Sequence, residues 1–162
     1  MYRIVSAGPT DQLPEALRRG LEHCRLGEWE NGLYFLGKIA EAGRTGLPGT
    51  FYSYLGYGIA RCQGRTAEGL KLCRHAVKIE FYDLDNWVNL ARTALLDDNR
   101  GEAVRAVTRG LKVDRNNQEL QALYVELGIR RSPVLRFLSR SNLLNLILGK
   151  IRSQIFGTRT DV

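Results

Sequence analysis

The chain has 162 residues, 44% of them hydrophobic and 25% charged, and carries a formal net charge of +7. That length suits one domain with a real core, and the composition is ordinary for a globular protein. A membrane-spanning helix is excluded: the longest uncharged run in the apolar C-terminal tail, Ser141–Gly149, is nine residues, against about 20 needed to cross a bilayer.

In chain order, Met1–Gly8 lacks the apolar centre of a secretion signal, and residues 1–10 are read as an N-terminal arm. A helical domain is expected over 11–131. Its first helix pair covers 12–47, with Gly20 in the first helix, a turn at Leu26-Gly27, Gly32 and Leu36 in the second helix, and a loop over Ala42–Gly49. The second pair, 48–83, has Tyr52 and Leu55-Gly56, a turn at Gln63-Gly64, then Gly69, Leu70, Cys73, Ala76, Val77 and Ile79. The third pair, 84–117, has Trp87 and Leu90-Ala91, a turn at Asp97-Asp98-Asn99, then Ala103, Val104, Val107, Gly110, Leu111 and Val113. Apolar residues three and four apart, as in Leu70, Cys73, Val77 and in Val104, Val107, Leu111, make one face of a helix. Glycine inside a helix costs about 1 kcal/mol relative to alanine. Gly56, Gly69 and Gly110 are therefore expected where two helices approach closely. A capping helix over 118–131 follows, with Leu120, Leu123, Tyr124 and Leu127 inward and Gln118, Glu119, Gln121 and Glu126 outward.

The tail, 132–162, is a basic amphipathic segment. Arg130, Arg131, Arg136, Arg140, Lys150, Arg152 and Arg159 fall in a stretch, 127–160, that contains no acid, so the rest of the chain is neutral as a whole. On a helical wheel Leu143, Leu144, Ile147, Leu148, Ile151 and Ile155 share one stripe. Three destinations fit that stripe: the solenoid's own last helices, a partner or second copy, and an anionic membrane surface.

The second and third pairs are one pattern repeated. Gly69, Leu70, Cys73, Ala76, Val77 and Ile79 each lie 34 residues before Ala103, Val104, Val107, Gly110, Leu111 and Val113. With Trp87, Leu90-Ala91 and Ala94 ahead of them, these positions resemble the tetratricopeptide repeat, about three copies over 12–117. Arg115 stands where that family usually has proline. The resemblance implies an all-α fold with an antiparallel helix-pair solenoid, to which the residues read above add a capping helix and a C-terminal amphipathic helix. It also implies that the first helix of each pair lines a concave face. Carried onto this sequence, that face holds Arg18, Leu21 and Arg25, then Tyr54, Tyr57 and Arg61, then Asn89, Arg92 and Leu95. Arginine and tyrosine there imply a peptide or protein partner of acidic character. Asn89 matches one asparagine of the family's carboxylate clamp, but the clamp's lysines are absent, so that clamp is not expected.

The implied function is a protein–protein scaffold or adaptor in a bacterial-type cytoplasm. A peripheral membrane adaptor recruited through the tail is the alternative. Nucleic-acid association through the tail is a further one, disfavoured because only Phe137 and Phe156 could stack on bases there. No enzymatic activity, cofactor or metal is expected. Cys24, Cys62 and Cys73 form no Cys-x-x-Cys pair and are read as reduced core thiols. Cys73 and His75, two apart on a helix, point to different sides. No glycine-rich phosphate loop occurs.

Overall fold

The computed structural model describes residues 12–128, with side chains from Glu15 onward. Seven α-helices fill the described residues: α1 (Gln12–Arg25), α2 (Trp29–Glu41), α3 (Gly49–Gln63), α4 (Thr66–Ile79), α5 (Leu84–Leu96), α6 (Arg100–Val113) and α7 (Gln118–Glu126). The expected arm and the tail stripe, Leu143, Leu144, Ile147, Leu148, Ile151 and Ile155, lie outside the described residues.

Local chemistry sets the helix boundaries. Asp83, Asn99 and Asn117 cap α5, α6 and α7, their side-chain oxygens accepting from the backbone N–H of Asp85, Glu102 and Leu120. Each cap satisfies a donor that the helix leaves unpaired, worth about 1 kcal/mol. α3 ends at Gly64, whose φ of +68° is left-handed backbone that glycine adopts without strain. α7 ends at Glu126 and Gly128 turns the chain at φ +54°; the boundary expected at 131 lies outside the described residues.

Each helix packs antiparallel on the next, α1 on α2, α3 on α4 and α5 on α6, while α1, α3 and α5 also lie side by side. α3 and α5 form the inner layer; ten residues of α3 and eight of α5 are buried, against four each in α4 and α6. The small residues decide how close the layers come. A Cβ on Gly56 would lie 2.7 Å from the carbonyl oxygen of Gly69 and 3.0 Å from Cys73 Sγ. Gly110 gives room to Leu120 of α7, whose Cδ1 would meet an added Cβ at 2.6 Å. Ala91 and Ala103, the third pair's counterparts of Gly56 and Gly69, are fully buried. Burying apolar area at about 25 cal/mol per Å² rewards that closeness, and it explains glycines that isolated helices would avoid.

Polar ties hold successive pairs in register. The Arg74 guanidinium of α4 grips both carboxylate oxygens of Glu102 in α6, at 2.7 and 2.6 Å. Thr66 donates to Asp97 at 2.6 Å. The α4–α5 loop is braced from α5: Trp87 Nε1 donates to the Phe81 carbonyl at 2.7 Å and Asn86 Nδ2 to the Glu80 carbonyl at 3.0 Å. A small buried polar chain also ties α3, α4 and α5. Thr93 donates to the Asn89 carbonyl, Asn89 Nδ2 donates to Ser53 Oγ, and Cys73 Sγ lies 3.4 Å from Thr93 Oγ1.

Candidate functional site

The inner layer ends in a cavity of about 430 Å³ assembled from five helices. Arg25 comes from α1, Trp29 from α2, Tyr54 from α3, and Glu119 from α7. Asp85, Val88, Asn89 and Arg92 come from α5. On α5 the spacing explains the grouping: Asp85, Asn89 and Arg92 sit four and three residues apart and so share a face.

Asp85 is the polar hub. Its Oδ2 accepts from Arg25 Nη2 at 3.0 Å and from the Tyr54 hydroxyl at 2.8 Å, and Arg25 Nε reaches the same hydroxyl at 3.3 Å. Burial, then the Asp85 charge, pushes the Tyr54 hydroxyl well above the ordinary phenol range. On the other flank Arg92 pairs with Glu119 at 3.0 Å. Both arginines also lie over aromatic rings, Arg25 at 5.6 Å from the Tyr54 centroid and Arg92 at 6.0 Å from that of Tyr57. Trp29 completes an aromatic wall, stacked on Tyr54 at 6.2 Å and edge-on to Tyr57 at 4.8 Å.

Two shallower depressions flank the cavity. One, of about 330 Å³, is lined by Tyr57, Arg92, Leu95, Leu96 and the α7 residues Glu119, Ala122, Leu123 and Glu126. The other, of about 400 Å³, takes Arg61 and Cys62 with Trp29 and Glu28. Of the nine concave-face residues expected from sequence, Arg25, Tyr54, Asn89 and Arg92 meet in the main cavity. Tyr57 and Leu95 border the first depression and Arg61 the second. Arg18 and Leu21 line none of the three. Arg18 is exposed and paired with Glu15 and Glu22 of its own helix, and Leu21 packs against the core. Asn89 is buried and tied to Ser53.

Trp29, Asp85, Val88 and Glu119 were not among the residues expected. Asp85 and Val88 carry a signal in the sequence, since they fall on the Asn89–Arg92 face of α5. Trp29 opens a second-of-pair helix and Glu119 sits in the capping helix, and neither spacing points to this cavity. The acids change the site's electrostatics: each groove arginine faces a carboxylate from another helix, so the two cations and two anions balance.

Elsewhere, Cys73 is fully buried, and burial pushes its thiol up to about 12; Cys24 is pushed to the same value by burial and then by Cys62. His75 is exposed, edge-on to Tyr52 at 4.7 Å, so Cys73 and His75 diverge. Among the described residues no group of three or more His, Cys, Asp or Glu side chains is placed to hold a metal ion. Nor is any described helix long and apolar enough to cross a membrane.

No family model matches the chain, and no curated protein matches it in sequence. Its fold is nevertheless shared with solved structures. The TPR domain of Arabidopsis OM64 is 12% identical with a TM-score of 0.61, the alignment covering 74% of this chain and 97% of that one. The TPR2B domain of yeast Sti1, solved in a complex with pHsp70, is 16% identical with a TM-score of 0.58, covering 74% and 98%. The chain has the all-α tetratricopeptide-repeat fold.

Proposed function

We propose that this chain is a protein-interaction scaffold that holds a peptide segment of a partner along the face built by α1, α3, α5 and α7. The observation that carries the reading is the convergence of Arg25, Tyr54, Asn89 and Arg92 on one cavity of about 430 Å³. A cavity of that size takes one or two side chains, not a protein surface. The complex of the Sti1 domain with pHsp70 supports a protein or peptide as occupant.

The aromatic wall of Trp29, Tyr54 and Tyr57 offers a flat apolar surface for an anchoring side chain. Tyr57 and Leu95 extend the track along α5 and α7, and Arg61 marks its other flank. Paired charges temper the acidic preference. A ligand carboxylate reaching Arg25 or Arg92 competes with Asp85 or Glu119, which already hold them. Selectivity then rests on shape and apolar contact first, with one exchanged ion pair as a supplement.

Peptides selected from a displayed random library against the full chain supply the probe. Their affinities are compared for wild type, Arg25→Gln and Arg92→Ala, with helicity checked by circular dichroism. Weakening of about tenfold is expected in one of the two variants, the one whose arginine exchanges its own carboxylate for the ligand's, with a smaller loss in the other. Unchanged affinity in both would move the binding surface away from this face.

A further inference from the structure

The outer faces of α4 and α6 carry a second organised surface. In α4 the row turned away from the buried Gly69, Cys73 and Ala76 is Lys71, Arg74 and Lys78. In α6 the row opposite Ala103, Val107 and Gly110 is Arg105, Arg109 and Lys112. Lys71 and Arg105 lie one repeat apart, as do Lys78 and Lys112, so the pattern is built into the solenoid period. All six are exposed.

The acids on these helices do not balance the rows. α4 and α6 contain one carboxylate each, Glu68 and Glu102. Both are already held, Glu68 by Arg65 and Glu102 by Arg74. Among the described residues no ion pair joins Lys71, Lys78, Arg105, Arg109 or Lys112 to a carboxylate, and Arg105 adds only a through-space pull on Glu102, which Arg74 already holds. The Arg74–Glu102 pair links α4 to α6, and the repeat period puts Lys71 with Arg105 and Lys78 with Lys112 at equivalent positions on the outer sides of the two helices. The groove on the inner layer is charge-balanced; this face is not.

Apolar side chains border the cations. Ile79 follows Lys78 at the end of α4, and Val113 follows Lys112 at the end of α6, both exposed. Phe81 and Tyr82 stand beyond Ile79, Tyr82 with 74% of its surface open. Cations flanked by protruding aliphatic and aromatic side chains match the interface of a bilayer: the cations meet anionic headgroups and the apolar tips enter the acyl boundary. A nucleic acid would use the cations and the Phe81 and Tyr82 rings, but gains nothing from Ile79 and Val113, which a bilayer interface also takes up.

We infer that the outer face of α4 and α6 docks on an anionic lipid surface, leaving the inner groove open to a partner. Co-sedimentation of the full chain with phosphatidylcholine vesicles, with and without phosphatidylglycerol, tests this. Three chains are compared: wild type, Lys71→Glu/Arg105→Glu, and Arg19→Glu/Arg61→Glu, the last two changing net charge equally. All four positions are exposed, and circular dichroism checks that helicity is kept.

Wild type should sediment with the anionic vesicles only. Lys71→Glu/Arg105→Glu should weaken binding at least about tenfold, and Arg19→Glu/Arg61→Glu less than about twofold. Equal weakening in both variants would reduce the effect to bulk charge and overturn the inference. So would no anionic-vesicle binding by wild type, or binding that neither variant disturbs. Retention of a single-stranded oligonucleotide that Lys71→Glu/Arg105→Glu abolishes, without vesicle binding, would assign the face to nucleic acid instead.

Discussion

Arg25 at the end of α1 and Asp85 in the first turn of α5 are 60 residues apart in sequence and meet at 3.0 Å. The pair reaches across α3, whose Tyr54 hydroxyl joins it from the middle. One ion pair thus ties the first helices of three successive pairs along the face that holds the cavity. Its two side chains keep 56% and 39% of their surface exposed, so water and salt screen it.

That exposure limits the pair's worth. A double-mutant cycle on Arg25→Ala and Asp85→Ala, read by urea denaturation, should give a coupling of about 0.2–1 kcal/mol. Raising the salt should shrink it. A coupling above about 2 kcal/mol that ignores salt would mean the pair is far drier than its exposure indicates.

Gly56→Ala should destabilise the protein by about 1–3 kcal/mol, because overpacking outweighs the gain in helix propensity. Its Cβ would meet the Gly69 carbonyl at 2.7 Å and Leu72 Cβ at 2.9 Å, neither of which can swing aside. Gly37, inside α2, has nothing within 4 Å of an added Cβ. Gly37→Ala should therefore stabilise by about 0.5–1 kcal/mol. Urea midpoints that move the same way in both variants would refute the packing argument.

Stability should fall as pH rises above about 8.5, the ordinary thiol range. Folding holds the Cys24 and Cys73 thiols up near 12 by burial. Between those values the unfolded chain has lost protons that the native state keeps. The slope of unfolding free energy against pH is then negative, up to about 1.4 kcal/mol per pH unit for each thiol. Tyr54, raised by burial and Asp85, adds to the decline above about pH 10, where an ordinary phenol ionises. Urea unfolding at pH 7, 8.5 and 10 reads the slope, and a flat profile would contradict the burial.

Thiol accessibility gives a separate reading. Cys62 is exposed while Cys24 and Cys73 are buried. A colorimetric thiol reagent at neutral pH should titrate one cysteine quickly and the other two only as the chain unfolds. Two fast equivalents would place Cys24 nearer the surface than its packing against Gly32 allows.

Asn117→Ala should cost about 1 kcal/mol, since its side chain accepts the Leu120 N–H at 2.9 Å and starts α7. The loss falls on a helix of only nine residues. Amide exchange should quicken in α7 before it does in α3; uniform quickening would mean α7 unfolds only with the whole domain.

The helical elements were legible because their causes are local. Apolar spacing, turn residues and the 34-residue recurrence of Gly69 with Ala103 or Cys73 with Val107 need nothing beyond a few neighbouring turns. The groove was legible in part. Arg25, Tyr54, Asn89 and Arg92 stood out on their own helices, whereas Trp29 and Glu119 reach the cavity only through contacts between elements.

Charge shows the division most sharply. Summed along the sequence, the residues outside 127–160 cancel to neutrality. Folding separates that sum into an inner groove, where Asp85 and Glu119 answer Arg25 and Arg92, and an outer face where Lys71, Lys78, Arg105, Arg109 and Lys112 outnumber Glu68 and Glu102, which Arg65 and Arg74 already hold. Which helices form and how often the pattern recurs could be read along the chain, because helix periodicity is a short-range property. Which charges meet had to wait for the packing of the helices, because an electrostatic interaction depends on distance through space and not on distance along the chain.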